Sequence, residues 1–417
     1  MVNPSKTNLS TFKRFSFAIF VVFCIQFTEL KIDVIKIAEI SLLLTTPFIY
    51  GKFVNRWILR LLGLFTIWFV LTIICNPFRD FYLLSEVSIL KTPYIISFGR
   101  YLELLACINL MALIYSYFKD LSYAEILKIV KLIVVLNICV LLGILLIYGL
   151  HRIGFIEETY ISYVNFRLRG GYSEGGPFGL MLSFIFILTF MYKSRYKGLV
   201  RFLLAITIVF FARSKAGILL IIIWYILMYY KWLYFKIRRL NIIILIVGGI
   251  ITSIVFVKLA SFYINDIKHI KEEVVKRPTD INLVMGRIAG IFIFPDMIKD
   301  HPVVGIGLGN YPLMRNNPDY LDFIPVSPKG KTDAHGFGGL IQLLVDGGLI
   351  IFIPFLVIMY LFNKKLKKQG YNLEIYHYAF LLFFTLGVQI YFLYPWVLFG
   401  IVLSLSNKTK QTCKTIV

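Results

Sequence analysis

Leu132-Ile133-Val134-Val135-Leu136-Asn137-Ile138-Cys139-Val140-Leu141-Leu142-Gly143-Ile144-Leu145-Leu146-Ile147-Tyr148-Gly149 runs for 18 positions without a charge. A helix of about 20 apolar residues crosses a hydrocarbon core of roughly 30 Å, so this run reads as a membrane span. Runs of the same kind recur through the 417 residues. They predict twelve spans, at about 15–30, 34–50, 57–76, 94–118, 127–149, 176–192, 199–212, 215–230, 240–262, 338–362, 375–393 and 395–406. The seventh, eighth and twelfth are short enough to be tilted, broken or re-entrant. The fold class is therefore an all-α polytopic membrane protein, a single integral membrane domain over 1–417. A hydrophobic content of 59% and a mean hydropathy of +0.80 exclude an ordinary soluble domain. No small-residue cleavage site follows Phe15–Leu30, which reads as a retained helix and not a signal peptide.

The net charge of +22 would suggest a nucleic-acid partner on a soluble chain. Its distribution says otherwise. With the N-terminus inside, the cytoplasmic segments collect 24 of the 44 lysines and arginines but only 3 of the 22 acids. That is the positive-inside pattern, a signal of topology. It places both termini in the cytoplasm and two longer loops, about 150–175 and 263–337, on the opposite face. The five cysteines have neither metal-ligand spacing nor a disulfide framework, and no His/Cys/carboxylate cluster suggests a metal. There is no repeat of 20–50 residues and no low-complexity tract.

The large loop, 263–337, is where polar groups gather. It contains His301-Pro302-Val303-Val304-Gly305-Ile306-Gly307-Leu308-Gly309-Asn310-Tyr311 and closes on Asp333-Ala334-His335-Gly336. Loops carry binding groups that lipid-facing helices cannot expose. The glycine run is not a nucleotide fingerprint, because no βαβ unit surrounds it and the loop faces away from cytosolic nucleotides.

Four settings suit chemistry. Arg213, in Phe211-Ala212-Arg213-Ser214-Lys215-Ala216-Gly217, sits between two apolar runs on the outer side. A guanidinium there suits a phosphate, and equally suits a loop that merely ends two helices. Arg287 lies in an apolar segment of the large loop, with Gly286, Ala289 and Gly290 beside it. The segment reads as an amphipathic helix on the outer leaflet, capped by Thr279 or Asp280 and kinked or ended by Pro295. A snorkelling arginine gives the same pattern. His335 is expected in the first turn of the tenth span, with Thr332 or Asp333 as cap, where the helix dipole favours a neutral imidazole. A histidine making only a capping hydrogen bond fits as well. Arg167 and Arg169 precede a glycine-rich stretch that suits either a polar ligand or a connector.

These segments, in this order, resemble the O-antigen ligase/O-antigen polymerase superfamily of bacterial membrane proteins. Ala212-Arg213-Ser214-Lys215-Ala216-Gly217 resembles the family's Ser/Thr-Arg-small motif, with Ala212 in the Ser/Thr place. Gly286-Arg287-Ile288 through Tyr311 resembles its arginine-bearing helix and the Pro-x-x-Gly-x-Gly-x-Gly-Asn run that follows. His335 through Gly348 resembles its helix that opens on a histidine, although Gly336 stands where the family often has Asn. The likeness covers about residues 205–360. It implies a type C-like glycosyltransferase fold in the bacterial inner membrane, with both termini cytoplasmic and the active site periplasmic. It also implies a donor and an acceptor glycan on undecaprenyl diphosphate, no cofactor and no required metal. A chain-length regulator is a further candidate partner, and membrane lipid surrounds the protein.

The family's two arginines fall on Arg213 and Arg287, and its histidine on His335. Breaking a sugar–diphosphate bond leaves negative charge on the leaving group, which two guanidiniums can stabilise. A neutral histidine can accept the proton of the attacking hydroxyl. The expected catalytic set is therefore His335, Arg287 and Arg213. Arg167, Arg169, Arg315 and Lys215 are expected substrate contacts. The expected activity is polymerisation of lipid-linked repeat units by inverting transfer. Ligation to lipid A-core is the nearest alternative, and a lipid-linked oligosaccharide flippase or transporter the more distant one.

Overall fold

A computed structural model describes residues 4–32, 35–46, 55–82, 92–157, 159–163, 166–237, 267–277, 287–321, 324, 337–369 and 372–408. Apart from two short hairpins, the described elements are helical. The helices α1 (Pro4–Gln26), α2 (Ile37–Leu44), α3 (Arg56–Cys75), α4 (Pro93–Phe118) and α5 (Tyr123–Arg152) come first. Hairpin β1 (Lys31–Ile32) with β2 (Ile35–Lys36) precedes α2, and β3 (Ser162–Tyr163) with β4 (Arg167–Leu168) follows α5. Next are α6 (Gly175–Leu188), α7 (Lys197–Ile206) and α8 (Lys215–Ile237). The large loop holds α9 (Ile270–Lys276), α10 (Arg287–Asp300), α11 (Tyr311–Met314) and α12 (Pro318–Leu321). The chain closes with α13 (Gly339–Gln369), α14 (Leu373–Thr385) and α15 (Leu393–Leu405).

Four described helices are long and apolar enough to cross a bilayer: Arg56–Phe78, Pro93–Phe118, Tyr123–Arg152 and Gly339–Gln369. Shorter apolar helices lie at Gly175–Leu188, Lys215–Tyr230, Leu373–Thr385 and Leu393–Leu405. The chain is a multi-pass membrane protein. The predicted span at 240–262 lies outside the described residues, as does the end of the span at 34–50.

Two compact units divide the chain. The first comprises Met1–Gly63, Leu102–Trp224 and Leu356–Val417. Here α1 packs along α5, and α15, with every residue buried, packs against α1, α6 and α14. Helix α5 starts on a capping box: the Glu125 amide donates to Ser122 Oγ, and the Ser122 amide donates to the Glu125 carboxylate at 3.0 Å. Arg14 ties α1 to the same turn through Glu125 at 2.6 Å, and deeper in the pair Gln26 Nε2 donates to Asn137 Oδ1 at 2.8 Å. A buried amide pair of this kind fixes register between helices that lipid alone would not orient.

The second unit comprises Leu64–Tyr101 and Tyr225–Phe355. Its loop core gathers Ala289, Ile293, Phe294 and Met297 from α10 with Ile306, Tyr311, Met314, Tyr320 and Val345. Of the two effects expected of Pro295, a kink or an end, the end is excluded, because helix α10 runs through it to Asp300. Helix α13 opens at Gly339, with the Gly338 carbonyl accepting from the amides of Ile341 and Gln342. Gly338 thus caps α13, and Thr332, Asp333 and His335, on which the expected cap and first turn fall, lie outside the described residues. In the first unit, α14 stops at Thr385, short of the predicted 393, because Gly387 turns the chain with φ +105°.

Candidate functional site

The turn after α7 holds the most unusual backbone among the predicted site residues. Helix α7 continues as a π turn over Thr207–Phe211. The Ala212 amide donates to Thr207 O at 2.8 Å and the Ser214 amide to Ile208 O at 3.1 Å. Closing the helix this way needs one left-handed residue, the position that glycine usually fills. Here it is Arg213, with φ +49°. A non-glycine residue pays roughly 1–2 kcal/mol for that conformation.

Ser214 then starts the next helix. Its Oγ accepts from the Gly217 amide at 3.2 Å and its carbonyl from the Ile218 amide at 3.0 Å, so Ser214 is the N-cap of α8. The buried Ser214 Oγ also donates to Gly176 O at 2.9 Å. A Cβ on Gly179 would lie 2.1 Å from that of Ser214, so glycine is required where α6 meets this turn. Between two such tightly packed neighbours, the side chains of Arg213 and Lys215 are exposed. An exposed guanidinium and ammonium flank a helix N-terminus, an arrangement that attracts anions.

Arg167 reaches this turn from β4. Its Nε donates to Ala212 O at 2.8 Å and its Nη2 to Arg213 O at 3.3 Å. Arg169 is engaged within its own loop: Nε donates to Tyr160 O at 2.5 Å, Nη1 to Ser173 O at 3.3 Å, and its guanidinium lies 4.1 Å from the Tyr160 ring centre. Arg213, Lys215, Arg167 and Arg169 thus belong to one unit.

The other predicted residues belong to the second unit. Arg287 opens α10, and its side chain lies outside the described residues, as does all of His335. Arg315 is fully buried, with Nη1 donating to Asn316 Oδ1 at 2.9 Å beside Tyr311. Burial pushes the Tyr311 phenol up to about 12, so it stays neutral next to that cation.

Between α10 and α11 the glycine run threads against a broken helix. Gly348 has φ +60° and ψ −171° inside α13, which interrupts the helix. The amides of Ile306 and Gly307 donate to the carbonyls of Val345 and Asp346 at 3.0 and 2.9 Å. In return, the amides of Leu349 and Ile350 donate to the carbonyls of Pro302 and Val303, each at 3.0 Å. Backbone that leaves a helix at membrane depth needs such protein partners. Gly305, Gly307 and Gly309 all have positive φ, at +65°, +97° and +75°. A Cβ on Gly305 would sit 2.5 Å from the Gly348 nitrogen.

The sequence reading passed over the residues that hold this run. Arg79, just past α3, donates to Gly305 O and to Asn76 Oδ1, both at 2.8 Å. Thr72 Oγ1 accepts from the Leu308 amide at 3.0 Å, and the Asp346 carboxylate accepts from the Gly309 amide at 3.3 Å. An arginine just past an apolar span was the available signal, but the Gly305 carbonyl that it holds lies 226 residues away. His301 is held below its usual pKa, first by burial and then by the nearby Arg79 cation.

Residues 200–356 match the family model described as O-antigen ligase. The matched stretch contains Arg213, Lys215, Arg287, the glycine run, Arg315, His335 and the break at Gly348, whereas Arg79, Arg167 and Arg169 precede it. The chain carries an O-antigen ligase family domain over these residues. Members of that family are glycosyltransferases of the O-antigen ligase/polymerase type, and their substrates are lipid-linked glycans. No curated protein matches the chain.

Proposed function

We propose that the protein polymerises undecaprenyl-diphosphate-linked repeat units into O-antigen or a related surface polysaccharide, at the periplasmic face of the bacterial inner membrane. Both termini are then cytoplasmic, as the distribution of lysine and arginine suggests. The observation that carries this reading is Arg213: a left-handed arginine, exposed beside Lys215 and the N-terminus of α8, inside the matched family stretch. Backbone strain of this kind collects at functional sites.

In this scheme Arg213 and Arg287 bind the diphosphate of the donor and stabilise the charge that develops as the sugar leaves. His335 accepts the proton of the attacking hydroxyl, and direct displacement inverts the anomeric centre. Lys215, Arg169 and Arg315 are secondary candidates for sugar or phosphate contacts. The long Gly-x-Gly-x-Gly-Asn run favours polymerase. The family's own description favours the second reading, ligation of glycan to lipid A-core.

The test is a deletion complemented by wild type or by His335→Ala, Arg287→Ala or Arg213→Ala, with surface polysaccharide resolved by gel. A polymerase predicts a single-repeat band without the ladder, restored by wild type alone. Loss of all surface glycan with accumulation of lipid-linked polymer would select the ligase. Full ladders from all three variants at normal expression would overturn the scheme.

A further inference from the structure

We propose that Arg167 is a positioning residue: it holds the Ala212–Arg213 backbone so that the Arg213 guanidinium is presented to the diphosphate. This rests on the role of Arg213 proposed above.

The geometry of Arg167 is that of a strut. Its Nε and Nη2 donate to two consecutive carbonyls, Ala212 O at 2.8 Å and Arg213 O at 3.3 Å. A planar guanidinium offers its donors in a fixed fork, so the two bonds together orient the two peptides on either side of the Arg213 Cα. Those peptides flank the Arg213 torsions, of which φ is left-handed at +49°. Gly175 clears the way for the strut. A Cβ there would lie 2.6 Å from Ala212 O and 2.8 Å from Arg167 Nε.

The strut is itself anchored. Arg167 pairs with Tyr163 and Leu168 with Ser162 across the β3–β4 hairpin. Next to it, Tyr148 Oη on α5 donates to Phe166 O at 2.9 Å, and the Arg152 guanidinium lies 4.3 Å from the Phe166 ring centre. The Arg169 amide donates to Ile161 O at 2.9 Å. The end of α5 thereby fixes the hairpin, the hairpin fixes Arg167, and Arg167 fixes the turn. With two of its donors directed at main-chain carbonyls, Arg167 acts through Arg213.

The experiment is a double-mutant cycle on the full-length protein in detergent, reading the affinity for undecaprenyl diphosphate and, where measurable, single-turnover transfer. Binding is readable even in variants that no longer turn over. Arg167→Ala and Arg213→Ala should each weaken binding roughly 10- to 100-fold, as displacement of a fixed catalytic group does. The double variant should bind no more weakly than Arg213→Ala, to within about a factor of two, because Arg167 has nothing left to position. Arg167→Lys should be nearly as impaired as Arg167→Ala, since the fork and not the charge is required. It also serves as the second variant if Arg167→Ala does not fold.

Losses that multiply in the double variant, or near-normal binding by Arg167→Lys, would overturn the proposal and make Arg167 a direct phosphate ligand. Wild-type binding by Arg213→Ala would instead remove the role of Arg213, and this proposal with it. A fall in melting temperature that accounts for the Arg167→Lys loss would likewise overturn it, reducing Arg167 to a folding role.

Discussion

The Gly307 amide donates to the main-chain carbonyl of Asp346 at 2.9 Å, joining the glycine run to a helix broken two residues later at Gly348. The bond is one of four exchanged between Pro302–Gly307 and Val345–Ile350. Through it, the chain that leaves the Arg287-bearing helix α10 is locked to α13. Each partner supplies what the other's irregular backbone lacks, so neither segment is stable in that form alone.

Gly307→Ala should disrupt this lock. The new Cβ would meet Asn310 Nδ2 at 2.4 Å and Arg79 Nη1 at 2.7 Å, and φ +97° is unsuited to any residue with a side chain. A loss of about 2 kcal/mol or more is expected, read as a lower melting temperature of the purified protein.

Arg79→Met should cost more than an exposed arginine would. It removes the donor to Gly305 O and Asn76 Oδ1 and leaves both acceptors buried. Gly305 O then loses its donor, at about 1–3 kcal/mol, whereas Asn76 Oδ1 keeps the bond from Asn310 Nδ2. Thermal unfolding in detergent measures the loss, and Arg79→Lys should recover only part of it.

Arg213→Gly should separate stability from activity. Glycine takes the left-handed position freely but adds entropy to the unfolded chain, so stability should change by no more than about 1 kcal/mol. Transfer should nevertheless fall as far as in Arg213→Ala. Parallel melting and glycan-transfer measurements on the two variants test this.

Stability of the large loop should decline with acidification from about pH 7.5 to pH 5. His301 has a folded-state pKa below its unfolded value, owing to burial and to Arg79. The unfolded chain therefore takes up the proton first. The contribution of neutral His301 is present above the unfolded pKa and is lost as pH falls toward the folded one. His301→Gln should flatten that part of the pH–stability profile, and an unchanged slope would show that other groups control it.

The helices were largely legible in the sequence because lipid imposes a simple rule: long uncharged runs must satisfy their own backbone as helices. Leu132–Gly149 falls within α5, and the capping box at Ser122 and Glu125 marks the start of that helix. Boundaries set by tertiary contact were not legible. Pro295 does not stop α10, and α14 stops at Thr385, short of the predicted 393.

The site divided in the same way. Residue types and their order marked Arg213, Arg287 and His335 through the resemblance to family motifs, since each residue taken alone also fits a purely structural role. The sequence by itself thus determined the membrane class, the helical runs and the family-like motifs, which depend on local composition and spacing. Only the tertiary structure decided that Arg213 is left-handed, that Arg167 grips its turn and that Arg79 clamps the glycine run. The last two depend on hydrogen bonds from arginine side chains to main-chain carbonyls 45 and 226 residues away. A main-chain carbonyl looks the same at every position of a sequence, so its partner becomes visible only when the chain is folded.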